Sequence, residues 1–303
     1  MSEQAIAGAT GATGVIHDLG YRGYDGPRLG RPQIIRALTW HSFRSAWGIG
    51  RGVKAKIVPA LALIVICLPA FVNAFAVARG NDRLFGYDVY ASTLRALVVT
   101  IFLAAQAPEM VSRDIRSRVL PLYFSRPLRR LDYPLAKFIA LIGALLVLIE
   151  LPVIIMYVGT IASAKNSHGV WAETRAFIPG LGMGLVWAVL MAAIALVLAS
   201  ATGRRAYATG IVAIALFLTW TLAELLINTE GGFTATTAPA QLVGLLSPYT
   251  VIDGVRIWLG GTNQGMDPTS LGHYGPLYGL VALVLLAASL GGLAARYRKA
   301  SQS

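Results

Sequence analysis

Three ionisable residues, Arg95, Glu150 and Glu224, lie inside stretches of the chain that are otherwise almost wholly apolar. The chemistry open to isolated charges in such surroundings is ion pairing, proton transfer or a polar lining for a passage, because a charge in hydrocarbon costs several kcal/mol unless it meets a partner or water. If the stretches are helices rising 1.5 Å per residue, Arg95 and Glu150 differ in depth by roughly 5 Å, close enough for a salt bridge between neighbouring helices. Glu224, beside Thr219, Trp220 and Thr221, is expected to line a passage or to pair with Arg95. Other chemistry is sparse. His17, His41, His168 and His273 are scattered, so no catalytic cluster and no metal site are expected. Cys67, the only cysteine, sits in an apolar run and reads as a packing residue, which leaves no intrachain disulfide or cysteine-based zinc site. Lys54, Lys56, Lys137, Lys165 and Lys299 all lack a preceding glycine, so the chain has no Gly-Lys-Ser/Thr loop to cradle nucleotide phosphates.

The elements that must position these charges follow from composition. Of 303 residues, 56% are hydrophobic and 13% charged, whereas soluble domains carry about 25% charged residues. A helix crosses the hydrocarbon layer with roughly 20 mainly apolar residues, because lipid offers no partner for an unpaired backbone group. Runs of that kind fall at 57–78, 88–108, 135–160, 177–202, 206–228 and 276–295. The expected fold is therefore an all-α membrane protein with six transmembrane helices. Lysines and arginines number 20 on one side of this pattern and 5 on the other, with Arg95 inside a span. The positive-inside bias then places both termini in the cytoplasm, and it makes the +12 charge a matter of membrane orientation and lipid contact, with no nucleic acid implied. The first 30 residues are Gly-rich and have no apolar core, so the first span itself is expected to direct insertion in place of a cleavable signal.

The chain divides into a flexible cytoplasmic tail over 1–31 and a six-span domain over 32–303. From Pro32 the periodicity is helical, with Ile34, Ile35, Leu38, Ala46 and Ile49 on one side and Arg36, Arg44 and Arg51 opposite, among Trp40, Phe43 and Trp47. Arg36, Trp40, Arg44 and Trp47 are thus expected to anchor an interfacial helix, with rings at the headgroups and arginines on lipid phosphates. Between the second and third spans, Val119, Leu120, Leu122, Tyr123 and Phe124 stand in a loop otherwise rich in charge, which points to a protein contact. The last outer connection, about 229–275, is too apolar for a linker. Ala240–Leu246 and Tyr249–Leu259 read there as two short helices, the second opened by Pro248.

Residues Glu109 to Lys137 resemble the cytoplasmic loop of ABC-2 type permeases, the membrane subunits of bacterial ABC exporters. The resemblance is carried by Asp114, the apolar run Val119 to Phe124, Ser125-Arg126-Pro127 and Lys137, and by the order of elements along the chain. It implies a coupling helix in this loop, most regular over Met110 to Val119 because Pro121 would end it. Arg113, Asp114, Arg116, Arg118, Leu122, Tyr123 and Phe124 are its implied contacts with a separate ATPase subunit, which would carry the ATP and magnesium. A further implication is that six spans form half of a twelve-span pathway, completed by a second permease copy or a homologue in the bacterial cytoplasmic membrane. The competing expectation is an ion-coupled secondary transporter or channel, in which Arg95 and Glu150 would serve the coupling ion.

Overall fold

The computed structural model describes residues 26, 30–84, 86–87, 90, 92–116, 128–129, 131–164, 166–229, 242–260 and 274–300. Eight α-helices are found among them: α1 Arg31–Ala46, α2 Lys54–Ala78, α3 Ser92–Arg116, α4 Asp132–Ala162, α5 Ser167–Ala199, α6 Arg205–Thr229, α7 Pro248–Trp258 and α8 Gly275–Ala300. Six of these, α2 to α6 and α8, are long and apolar enough to cross a membrane. The chain is a multi-pass helical membrane protein.

Burial grades outward from α3, 78% of whose apolar window is inside the structure, against 50% for α4, 61% for α5, 28% for α2 and 17% for each of α6 and α8. The outer helices still carry large apolar side chains on their open faces. Ile57, Leu61, Ile64, Leu68, Phe71 and Phe75 recur every three or four residues along α2 and are all exposed, a stripe that only hydrocarbon or another apolar surface can cover. At 31 and 33 residues, α4 and α5 are roughly 47 and 50 Å long, well beyond the ~30 Å hydrocarbon layer.

α1 starts with Pro32 in its first turn and ends in a left-handed glycine turn. Gly48 has φ 68°, its N–H donates to the Ser45 carbonyl at 3.0 Å, and the Ile49 N–H donates to the Arg44 carbonyl at 2.8 Å. A Cβ at Gly48 would meet the Ala55 carbonyl oxygen at 2.6 Å, so only glycine lets the chain fold back this tightly onto the start of α2. α1 packs chiefly on α4, burying Leu38, Ser42 and Ala46.

One end of the bundle gathers α1, the last turns of α3, the first turns of α4 and α6, and the last turn of α8. It carries Arg31, Arg51, Arg116, Arg204, Arg205 and Arg296 and is called the basic end below. α7 closes the distal end. Eleven residues are too short to span, yet every residue from Tyr249 to Arg256 is buried. Ser247 caps the helix, its hydroxyl accepting from the Tyr249 N–H at 3.3 Å. A short 3-10 turn, Gly244–Leu246, precedes it and follows the helical residues Leu242 and Val243, while residues 240 and 241 of the first expected outer helix lie outside the described set.

Tyr278 of α8 locks this cap, its ring wedged where side chains at Gly244 and Gly254 would otherwise stand. Adding a methyl group at Gly254 drives it into the fully buried ring. Gly254→Ala is expected to cost about 1–3 kcal/mol, the usual penalty of overpacking a tight site, and to lower the thermal midpoint in detergent. Gly210→Ala, which meets nothing within 4 Å, is the control and should be neutral or slightly stabilising.

The second span differs from its expected form. It begins at Ser92 instead of 88 and runs unbroken through Arg116, so residues 110–116 are the last turns of α3 and not a separate coupling helix. Met110, Val111 and Ser112 are buried there. Residues 117–127 lie outside the described set.

Candidate functional site

Polar residues concentrate in two places on α3, one near each end. At the distal end, Arg95 in the first turn of α3 is 4% exposed, and its guanidinium carbon lies 4.5 Å from the ring centroid of Trp187 on α5. The ring face attracts the cation, an interaction worth ~2 kcal/mol where water is excluded. Trp187 in turn packs on Tyr249 of α7, centroids 5.2 Å apart, and Tyr249 lies 6.3 Å from Trp220 of α6. The Tyr249 hydroxyl is hydrogen-bonded to that of Thr100, further along α3 from Arg95. Four helices thus meet around one buried cation and three aromatic rings.

The carboxylates behave differently from the expectation. Glu150 of α4 is pressed against Gly184 of α5, where any side chain would collide with its carboxylate. Arg95 acts on Glu150 through space, but neither carboxylate oxygen accepts a hydrogen bond among the described residues, and no direct ion pair joins the two. The expected Arg95–Glu150 salt bridge is therefore replaced by a longer-range pairing, with Trp187 taking the cation. Glu224 is half-buried on α6, and its carboxylate oxygen Oε1 is buried without a hydrogen-bond donor among the described residues. Asp253 and Arg256 sit one turn apart on α7, 3.7 Å between them, both almost fully buried. Thr100, Trp187, Tyr249 and Asp253 escaped the sequence reading; the available signal was the Asp253/Arg256 pair at i,i+3 on a helix too short to span.

The rim of the distal end is held by Glu173 of α5, which accepts from Arg83 at 2.9 Å and from the Tyr87 hydroxyl at 2.8 Å. Burial pushes the Tyr87 phenol up to about 12, so it stays a donor near neutral pH. Among the described residues no group of three metal-ligating side chains forms.

At the basic end, Glu109 of α3 is 4% exposed and holds two arginines on its two oxygens: Arg51 from the turn after α1 at 2.7 Å and Arg205 from the start of α6 at 2.9 Å. One helical turn and a half further on, Asp114 pairs with Lys137 of α4 at 3.0 Å and accepts from the Tyr133 hydroxyl. Asp132, the first residue of α4, takes a two-pronged contact from Arg31 of α1 at 2.6 and 2.7 Å. Each carboxylate fastens α3 or α4 to a different element.

The expected ATPase contacts are thus divided. Asp114 turns inward to α4, and Arg116 is exposed, lining a cleft of about 1090 Å³ with Arg204, Arg205 and Tyr207. Arg113 lies in α3 with its side chain outside the described set, as are Arg118, Leu122, Tyr123 and Phe124 altogether. Among the expected interfacial anchors, Arg36, Trp40 and Arg44 share the exposed face of α1, with Trp40 stacked on Phe43 at 5.6 Å. Trp47 instead packs inward on Phe102 of α3, centroids 5.5 Å apart. No protein-family model and no curated protein matches this chain, so any functional assignment rests on its own residues.

Proposed function

We propose that this chain is the membrane-spanning subunit of an ATP-driven exporter of the ABC-2 type, working as a dimer with separate ATPase subunits and with its basic end in the cytoplasm. The observation that carries the reading is the continuity of α3, a single helix that joins the Arg95 cluster at one end to the segment resembling an ATPase-coupling loop at the other. From Arg95 to Arg116 it covers roughly 32 Å. Displacement of the loop by an ATPase would move this helix as a unit, and Glu109 and Asp114 would pass the movement to α1, α4 and α6. Arg36, Trp40 and Arg44 on the open face of α1 fit a helix lying at the cytoplasmic headgroup layer. The exposed apolar stripe of α2 fits lipid or a second copy.

Glu150 supports a second reading, an ion-coupled transporter, because a carboxylate with no hydrogen-bond donor inside a membrane helix suits proton binding. Co-expression of the tagged chain with the ATPase encoded nearest to it separates the two. The exporter reading expects a stable complex whose ATP hydrolysis survives a protonophore in proteoliposomes. No co-purifying ATPase, together with transport that collapses with the proton gradient, would select the ion-coupled reading.

Orientation has its own test. In a background with Cys67 replaced by alanine, cysteines at Lys165 and Gly265 are expected to react with an impermeant thiol reagent added to intact cells, and one at Ser117 is not. Labelling at Ser117 from outside would overturn the cytoplasmic placement of the basic end.

A further inference from the structure

The turn between α1 and α2 makes a second site that neither ATP coupling nor a transport path requires. A cleft of about 530 Å³ opens between this turn and the start of α6, lined by Arg51, Gly52, Val53, Lys54, Ala55 and Arg205. We propose that this cleft binds a phosphate group, either the headgroup of an anionic lipid or free phosphate.

Three cations face the cleft against one carboxylate, Glu109, which lies behind Arg51 and Arg205 and fixes both guanidiniums. Held this way, the arginines keep further N–H groups for a planar, forked contact with phosphate oxygens, the geometry guanidinium favours. Lys54 is exposed at the mouth and has no ion pair among the described residues. Its flexible ammonium supplies the third charge.

The placement of these cations is otherwise unfavourable. The N-terminus of a helix is its positive end, where acidic side chains are stabilising and basic ones are not. α2 nonetheless starts with Lys54 and Lys56, with no acidic residue in its first turn and no side-chain cap, and α6 starts with Arg205, also without an acidic residue in its first turn. A bound anion removes the conflict at both helices at once. The Gly48 turn is what brings Arg51 and the start of α2 together, so the cleft depends on a backbone feature that the sequence builds deliberately. Arg205 also borders the neighbouring cleft with Arg116 and Arg204, which extends the positive field around the site.

The test uses the purified full-length chain in a neutral maltoside detergent. Its thermal midpoint is followed during titration with phosphatidylglycerol, phosphatidylcholine or inorganic phosphate. A saturable upward shift is expected from a phosphate source of net negative charge, and not from phosphatidylcholine. Lys54→Gln should raise the half-saturating concentration at least tenfold and Lys54→Arg should restore it. Arg129→Gln, an equal loss of charge at an exposed residue just before α4 at the same end of the bundle, should change it less than twofold. A response to phosphatidylglycerol alone assigns the lipid headgroup, and an equal, Lys54-dependent response to inorganic phosphate assigns the free ion; both support the site. Two results overturn it: no saturable response to either probe, or equal weakening by Lys54→Gln and Arg129→Gln, which would reduce the effect to diffuse surface charge.

Discussion

Replacing Tyr123 and Phe124 together by alanine is expected to abolish ATP-linked export while leaving the chain inserted and dimeric. Both rings belong to the stretch 109–130, which carries eight charged residues, and bulky side chains in such a stretch gain free energy only by entering a desolvated contact. Aromatic anchors of protein interfaces commonly lose about 2 kcal/mol or more each on truncation, so one ring alone should weaken ATPase binding by about thirtyfold and the pair by more. The charged neighbours, Arg116 and Arg118 among them, should alter the rate of association and its salt dependence more than the affinity. Asp114 belongs to a different group. Its contacts with Lys137 and Tyr133 are internal, so Asp114→Asn should lower stability before it touches ATPase binding. The outcome against the coupling role is normal export and normal ATPase yield from the doubly substituted chain, which would leave the rings as headgroup anchors.

The six spans were legible in the sequence because lipid imposes a length and a composition on any crossing helix. What hydropathy could not see were helical turns whose polar side chains are satisfied by other elements. α3 continues to Arg116 because Glu109 and Asp114 find cations on neighbouring helices. α5 starts at Ser167, ten residues before its apolar run, with Asn166 capping it through the Gly169 N–H at 2.8 Å. Rotation of helices about their axes was equally hidden. Depth arithmetic brings Arg95 and Glu150 to similar levels, but which side chain meets the guanidinium depends on how α3 and α5 face each other. The structure puts Trp187 there. Trp47 is a parallel case, since spacing placed it with the anchors of α1, while the turn at Gly48 swings it onto Phe102. Glu109 was visible as a carboxylate beside Pro108, yet its two partners lie 58 residues before it and 96 after it, beyond any local pattern.

Removing the charge of Glu109 is the second change expected to have a large effect. In Glu109→Gln the side chain keeps its shape, but Arg51 and Arg205 lose the carboxylate that holds both of them. Breaking a buried ion pair from one side costs ~3–5 kcal/mol when the stranded partner has no escape. Here Arg51 is 22% exposed and Arg205 59% exposed, so each can turn partly into water, and the expected loss falls to about 1–3 kcal/mol after that discount. The consequence reaches beyond stability. α3 would keep its hold on α4 through Asp114 and Lys137 and its apolar packing on α6, but lose the ionic clamp on the α1 turn and on the start of α6, so a push delivered at residues 117–127 would reach those elements less tightly coupled. ATP hydrolysis by the assembled complex should then persist while export falls. A double-mutant cycle in detergent separates the pair from its surroundings: Glu109→Gln and Arg51→Gln together should cost less than the sum of the two, by 0.5–3 kcal/mol, the range typical of directly coupled side chains. Strict additivity would mean that Arg51 and Glu109 do not act on each other, and the clamp at the basic end would then have to rest on Arg205 alone.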